Sequence, residues 1–454
     1  MAHDLTEGSI GKKLLLYFVP IAAGTLFQQL YNAADAIIVG KFVGTVALAA
    51  VGGSAANITN LLIGFFVALS GGCTVIIAQL YGARDNITLQ RATGTAMTFC
   101  LITGVMLTVV GCIWTPQMLE AMRSPENTMA DSVLYLRIIF MGVTAQLVYN
   151  IEAGILRAVG DSRSPFVYLL VCCVANVILD LVFILVFRWG VMGAAIATII
   201  SQALSAVLAT IKLCRCTEAY RITLRGLRID GRLLKSMLRI GIPAGLQNTM
   251  YAVSNIIQQV AVNLLGTAAV AGWSLSGKID GFYWACSNAA GLAIMNFAAQ
   301  NYGARRMDRI HQCVRLSLKI FLSVTAAFSV LLLTLGRMAL PLFTDDPEVI
   351  AVTGTVMLYI VPFYFAWTLI EIISGTLQGV GDAVVPVIIC GTGICLVRIA
   401  WIFTVYRMHQ TIQTVCLAYP VSWAITDVAF ILYYLKGRWR RRLETPCAAS
   451  GSRA

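Results

Sequence analysis

Asp35, Glu152, Asp180, Lys278, Asp280, Glu371, Arg398 and Asp427 each interrupt a long apolar run of the chain. At the centre of a membrane-spanning helix such a residue costs about 2.5–3.5 kcal/mol on insertion scales, so each needs a reason to be there. Gln28, Asn32 and Asp35 follow i, i+4, i+7 spacing and share one helical face. Asn176 and Asp180 stand one turn apart on another run, and Thr198 and Gln202 do so on the next. Two carboxylates, amide oxygens and a hydroxyl together suit a hard cation. Asp35, Asn176 and Asp180 are the expected ligands if that cation is Na+. Two acids that meet in a dry pocket cannot both ionise cheaply, so the same cluster would hold a proton near neutral pH. In the second half of the chain Glu371 is the acid expected to matter, with Arg398 as its structural counter-ion. Lys278 and Asp280 are expected to neutralise each other or their neighbours. No organic cofactor is implied; the coupled species is H+ or Na+.

These groups must be positioned by helices that cross a bilayer. The 454 residues are 59% hydrophobic and only 12% charged, where a soluble domain carries about 25% charged residues. A crossing helix needs roughly 20 apolar residues, and twelve such spans can be drawn. They lie near 14–40, 46–80, 92–114, 132–156, 165–188, 190–212, 236–264, 268–300, 314–336, 351–378, 385–406 and 413–436. The runs are too long and continuous for barrel strands, and helices are the other way to satisfy backbone groups in lipid. The first span is too long and too polar for a signal peptide.

The net charge of +12 does not point to nucleic acid, because it is sorted by topology. Lys212, Arg215, Arg221, Arg225, Arg228, Arg232, Lys235 and Arg239 crowd one connection, and Lys436, Arg438, Arg440, Arg441 and Arg442 follow the last span. The alternate connections hold scattered cases such as Lys41, Arg123, Arg188, Arg337 and Arg407. The positive-inside rule places both termini in the cytoplasm of a multi-pass inner-membrane protein.

The chain is also duplicated. Gln79-Leu80-Tyr81-Gly82-Ala83-Arg84 returns as Gln300-Asn301-Tyr302-Gly303-Ala304-Arg305, and the block from Gly154 through Gly160-Asp161 to Pro165 returns from Gly375 through Gly381-Asp382 to Pro386. Pro20 and Pro243 stand at nearly the same offset. Each repeat holds six spans, so the halves share one orientation, as in transporters with parallel repeats and a midplane cavity. The expected organisation is an N-lobe at 1–212, a basic linker at 213–235, a C-lobe at 236–437 and a basic tail at 438–454. The repeated blocks fall at helix ends, where Gly accepts a left-handed cap and Asp161 can cap the next helix.

The opening Leu5-Thr6-Glu7-Gly8-Ser9-Ile10, the run Phe27-Gln28-Gln29-Leu30-Tyr31-Asn32-Ala33-Ala34-Asp35 and Val39-Gly40-Lys41-Phe42-Val43-Gly44 resemble the MATE (multidrug and toxic compound extrusion) transporters, in particular MepA-like and DinF-like members. The resemblance covers almost the whole chain. It implies an all-α, twelve-helix, two-lobe, V-shaped exporter of the MOP superfamily. It further implies cation coupling at Asp35, Asn176, Asp180 and Thr198, and a bend of the first helix at Pro20. Gln28, Asn32, Gln202, Gln258 and Glu371 are the positions expected to line the substrate chamber. The NorM-like branch instead uses an acid on helix 7, where this chain has Gln247, Asn248, Gln258, Gln259 and Asn263.

The expected activity is export of cationic amphipathic compounds, coupled to H+ or Na+, by a monomeric protein with the bilayer as its other partner. The alternative is a lipid-linked oligosaccharide flippase of the same superfamily, which would need several cavity cations. Enzyme chemistry is not expected. Gly272 to Lys278 approaches a phosphate-binding loop but is followed by Ile279 inside an apolar span, and no nucleophile-base or His-based metal motif is present.

Overall fold

The computed structural model describes residues 4–336, 338, 340–342, 344–437 and 439. The expected basic tail at 438–454 lies outside them apart from Trp439, as does Arg337. Among the described residues there are no strands, and twelve long helical rods follow one another. They are α1 (Ile10–Phe42), α2 (Thr45–Gly52 and Ser54–Gly82), α3 (Asn86–Ala121), α4 (Glu126–Ala158), α5 (Arg163–Leu181) and α6 (Gly190–Arg215). Then come α7 (Gly231–Asn263), α8 (Thr267–Gly303), α9 (Met307–Leu331), α10 (Pro347–Ile360 and Tyr364–Gly379), α11 (Val384–Cys390 and Val397–Phe403) and α12 (Ile412–Lys436). At 1.5 Å per residue, the 33 residues of α1 outreach a hydrocarbon core about 30 Å thick.

Ten of the rods among the described residues are long and apolar enough to cross a membrane by composition. The other two are α7 and α8, diluted by glutamines, asparagines, Lys278 and Asp280. On α3, Ile102, Val105, Val109 and Ile113 are each more than half exposed. An apolar stripe of that kind would not persist in water; hydrocarbon is its solvent. The chain is an all-α, multi-pass membrane protein.

The duplication is visible in the backbone. Arg84 and Arg305 both take φ near +57°, and Gly160 and Gly381 take +89° and +87°. Both pairs sit where a helix ends and the chain turns, a left-handed position that costs a non-glycine residue energy and that the fold uses at the same place twice. Asp161 accepts the backbone N–H and the hydroxyl of Ser164 at the start of α5. Its repeat partner Asp382 instead accepts the Tyr433 hydroxyl.

Packing divides the chain into two compact units. One is Leu16–Gly245 with Asp4 and Leu5, the other Thr6–Leu15 with the described residues from Leu246 onward. In the first unit α2 meets the start of α7 backbone to backbone. A Cβ on Gly72 would collide with the Met237 carbonyl and the Gly241 amide, and one on Gly241 with the Leu69 carbonyl. The linker is seated on α3, where the Thr95 hydroxyl donates to the Arg228 carbonyl and accepts from the Asp230 amide. Burial pushes the Cys216 thiol up, and its S–H donates to the Leu213 carbonyl, so this cysteine is a capped structural thiol. In the second unit the core is aromatic. Tyr283 stacks on Tyr364 at 3.8 Å, with Trp284, Trp367 and Trp423 around them.

Candidate functional site

Asp180 closes the regular part of α5, and Val182–Val186 continues it with widened i→i+5 turns. Such turns are frequent at functional sites because they re-aim the side chains around them. Ile184, Val191 and Ala194 pack on Ile38, Val39 and Ala47, with Tyr135 and Val177 at the edge. That apolar collar fixes α5 and α6 against the end of α1. Beside it Asp35 and Asp180 are neighbours, close enough for each to act on the other electrostatically. Asn176, one turn before Asp180, and Asp180 itself are fully buried; Thr198 is 7% exposed and Asp35 half-buried.

Both oxygens of Asp180, Oδ1 of Asp35 and both amide atoms of Asn176 have no hydrogen-bond partner. No basic side chain pairs with either acid among the described residues. Buried polar groups are normally satisfied, and a buried charge is normally compensated. Two neighbouring acids with no donor between them can be satisfied by a shared proton or by a small hard cation. Asn176 Oδ1 and the Thr198 hydroxyl are oxygens of the kind such a cation takes. The Thr198 hydroxyl hydrogen is already given to the Ala194 carbonyl, which leaves that oxygen an acceptor only. No group of three or more His, Cys, Asp or Glu is arranged for a metal among the described residues, so a cation here would rely on those neutral oxygens.

The other expected positions differ in their surroundings. Gln28 and Asn32 are exposed, and Gln202 is half-buried. Pro20 lies inside α1, whose helical course continues past it. Gln258, in the second unit, is 1% exposed. It and Ser254 one turn earlier keep every side-chain polar atom unpaired. Glu371 presses its carboxyl against Gly291 on α8, where a Cβ would collide with it.

Two expectations are corrected. Arg398 is not the counter-ion of Glu371: its Nε–H donates to Ser422 at 3.0 Å, and its guanidinium lies 3.9 Å over the Tyr419 ring. Lys278 and Asp280 do not neutralise each other, because residues two apart on a helix point to different faces; Lys278 is exposed and Asp280 buried beside Tyr364. Glu152 is fully buried and accepts the Thr210 hydroxyl. The sequence did not mark out Tyr31 or Tyr135 as site residues, yet both lie close to Asp35 and Asp180. Tyr31 follows Gln28 at i+3, a signal that spacing alone could have used.

A model of the MatE family matches residues 20–182 and again 243–404. The chain belongs to the MatE family. The double match is the duplication seen in sequence and backbone, with Asp35, Asn176 and Asp180 inside the first copy. Among MatE relatives, a Bacillus subtilis protein named as probable multidrug resistance protein YoeA is 28% identical and spans 94% of each chain. The multidrug export protein MepA of Staphylococcus saprophyticus is 22% identical over 76% of each. A MOP superfamily transporter from Pyrococcus furiosus superimposes with a TM-score of 0.89 at 22% identity, covering 98% of both chains, which fixes the MatE fold.

Proposed function

We propose that this MatE protein exports cationic amphipathic compounds by alternating access, in exchange for H+ or Na+ bound at Asp35 and Asp180. The observation that carries the proposal is the pair itself: two neighbouring acids beside an apolar cluster, with unpaired carboxyl oxygens and no basic partner. A site of that kind releases its proton or cation when water reaches it and takes one up when enclosed, which a coupling site requires. Relatives named for multidrug resistance and multidrug export support the substrate class. The acids and amides of the spans suit a positive, ring-bearing guest. Purified protein in liposomes, with ethidium flux driven first by an imposed H+ gradient and then by an imposed Na+ gradient, tests the reading. Flux should follow at least one of the two. Export of anionic lipid-linked sugars with no cation flux would overturn it in favour of the flippase.

A further inference from the structure

The second unit holds a charge that nothing in the proposed cation cycle uses. Arg398 on α11 is 5% exposed. Of its five N–H donors, the one on Nε is given to Ser422 Oγ. The remaining four have no acceptor among the described residues, and no carboxylate pairs with the guanidinium. Ser422 gives its own hydroxyl hydrogen to the Tyr419 carbonyl at 2.8 Å, which turns the Oγ lone pair toward Arg398. The guanidinium is thereby held over the Tyr419 ring, its carbon 5.8 Å from the Trp423 ring centre.

The surrounding aromatic cluster has the same deficit. The indole N–H of Trp423 and that of Trp367, 6.0 Å away ring to ring, have no hydrogen-bond partner, although the two residues are 0% and 8% exposed. A buried indole normally finds an acceptor. Cation–π contact offsets part of the cost of enclosing Arg398, but it leaves the donors unanswered, and donors in excess call for an acceptor with negative charge. Asp280 does not supply it: it lies beside Tyr364. Lys278 is exposed, so one positive charge is to be matched by one negative charge.

We propose that Arg398, held by Ser422 and Tyr419 and flanked by the Trp423 indole, is an anion-binding site in the second unit that takes one monovalent anion, either a free halide or the carboxylate of a ring-bearing compound. This goes beyond the exchange proposed above and does not depend on it, since the site lies among other residues and binding can be read without transport.

The full-length protein is melted in sodium gluconate, with chloride then replacing gluconate at constant ionic strength, and separately with benzoate or its neutral amide, benzamide, added. A rise in melting temperature with chloride identifies a free ion as the occupant; a rise with benzoate and not benzamide identifies a carboxylate. Either rise should vanish in Arg398→Gln. If that variant does not fold, Arg398→Lys and Ser422→Ala each disturb the fork while keeping the charge, and should weaken the half-saturating anion concentration by roughly tenfold. No rise in the wild type, a rise that persists in Arg398→Gln, or unchanged half-saturation in both milder variants overturns the proposal.

Discussion

At the residue scale the proposed coupling rests on Asp35 and Asp180. Asparagine at either position keeps the shape and some hydrogen bonding but removes the ability to hold and release a proton or to neutralise a cation. Each single variant should lose gradient-driven export by at least about tenfold while folding normally. The proposed coupling has the two acids act on one bound species, so the double variant should be little worse than either single one. Proteoliposome flux at matched expression checks this; near wild-type flux from Asp35→Asn would move coupling elsewhere, with Glu371 next to test. Tyr135→Phe probes the collar: it removes a hydroxyl close to the pair without changing the apolar packing, so the proton or Na+ dependence of flux should shift while maximal flux is retained. The acids were legible in the sequence because a charged residue in an apolar run stands out by its cost. Tyr31 and Tyr135 were not, since an aromatic residue within a span costs little and periodicity reports a helix face but not the faces it meets. Arg398 was misread for a related reason. Opposite charges on α10 and α11 suggest a pair, and only the side-chain geometry shows that the arginine uses a serine and a ring instead.

At the element scale, hydropathy located the rods, and the repeat placed the two that hydropathy underrates. α7 and α8 carry many amides and glycines, yet each follows the six-span register of the first half. Local irregularities were beyond the pattern. The break at Gly53, the tight turn Val361–Phe363 around Pro362 and the widened turns at Val182–Val186 and Gly391–Leu396 depend on how neighbouring rods pack, which no single segment encodes. Glycines at close approaches make the packing testable. Gly72→Val puts a branched side chain into the Met237 carbonyl and the Gly241 amide, whereas Gly71, its neighbour, faces open space. Overpacking of this kind costs roughly 1–3 kcal/mol, so Gly72→Val should lower the melting temperature and the yield of folded protein. Gly71→Ala should leave both unchanged. Equal behaviour of the two variants in a thermal melt would mean that α2 and the start of α7 do not meet as closely as described.

At the scale of the whole molecule, orientation in the membrane is set by charge and not by packing. Basic side chains are held back from the outer face during insertion, and the count over short connections decides which way the spans run. Here the connection between α6 and α7 carries Arg221, Arg225 and Arg228, framed by Lys212, Arg215, Arg232, Lys235 and Arg239, against the single Arg123 between α3 and α4 and the single Arg188 between α5 and α6. With twelve rods, the positive-inside rule predicts that both termini share the side of the basic connection, the cytoplasm. The fold supplies clean reporters for each face. Leu224 stands 90% exposed at the tip of the linker, and Asn127 is exposed at the start of α4. In a variant whose native thiols are replaced, Leu224→Cys should resist a membrane-impermeant maleimide in intact cells and react once the membrane is opened. Asn127→Cys should react in both conditions. The reverse pattern would place the basic connection outside and invert the direction of transport that the charge distribution implies. Equal labelling of both cysteines in intact cells would put the two connections on one face, which three intervening rods (α4, α5 and α6) do not permit, and would sink the twelve-rod course itself.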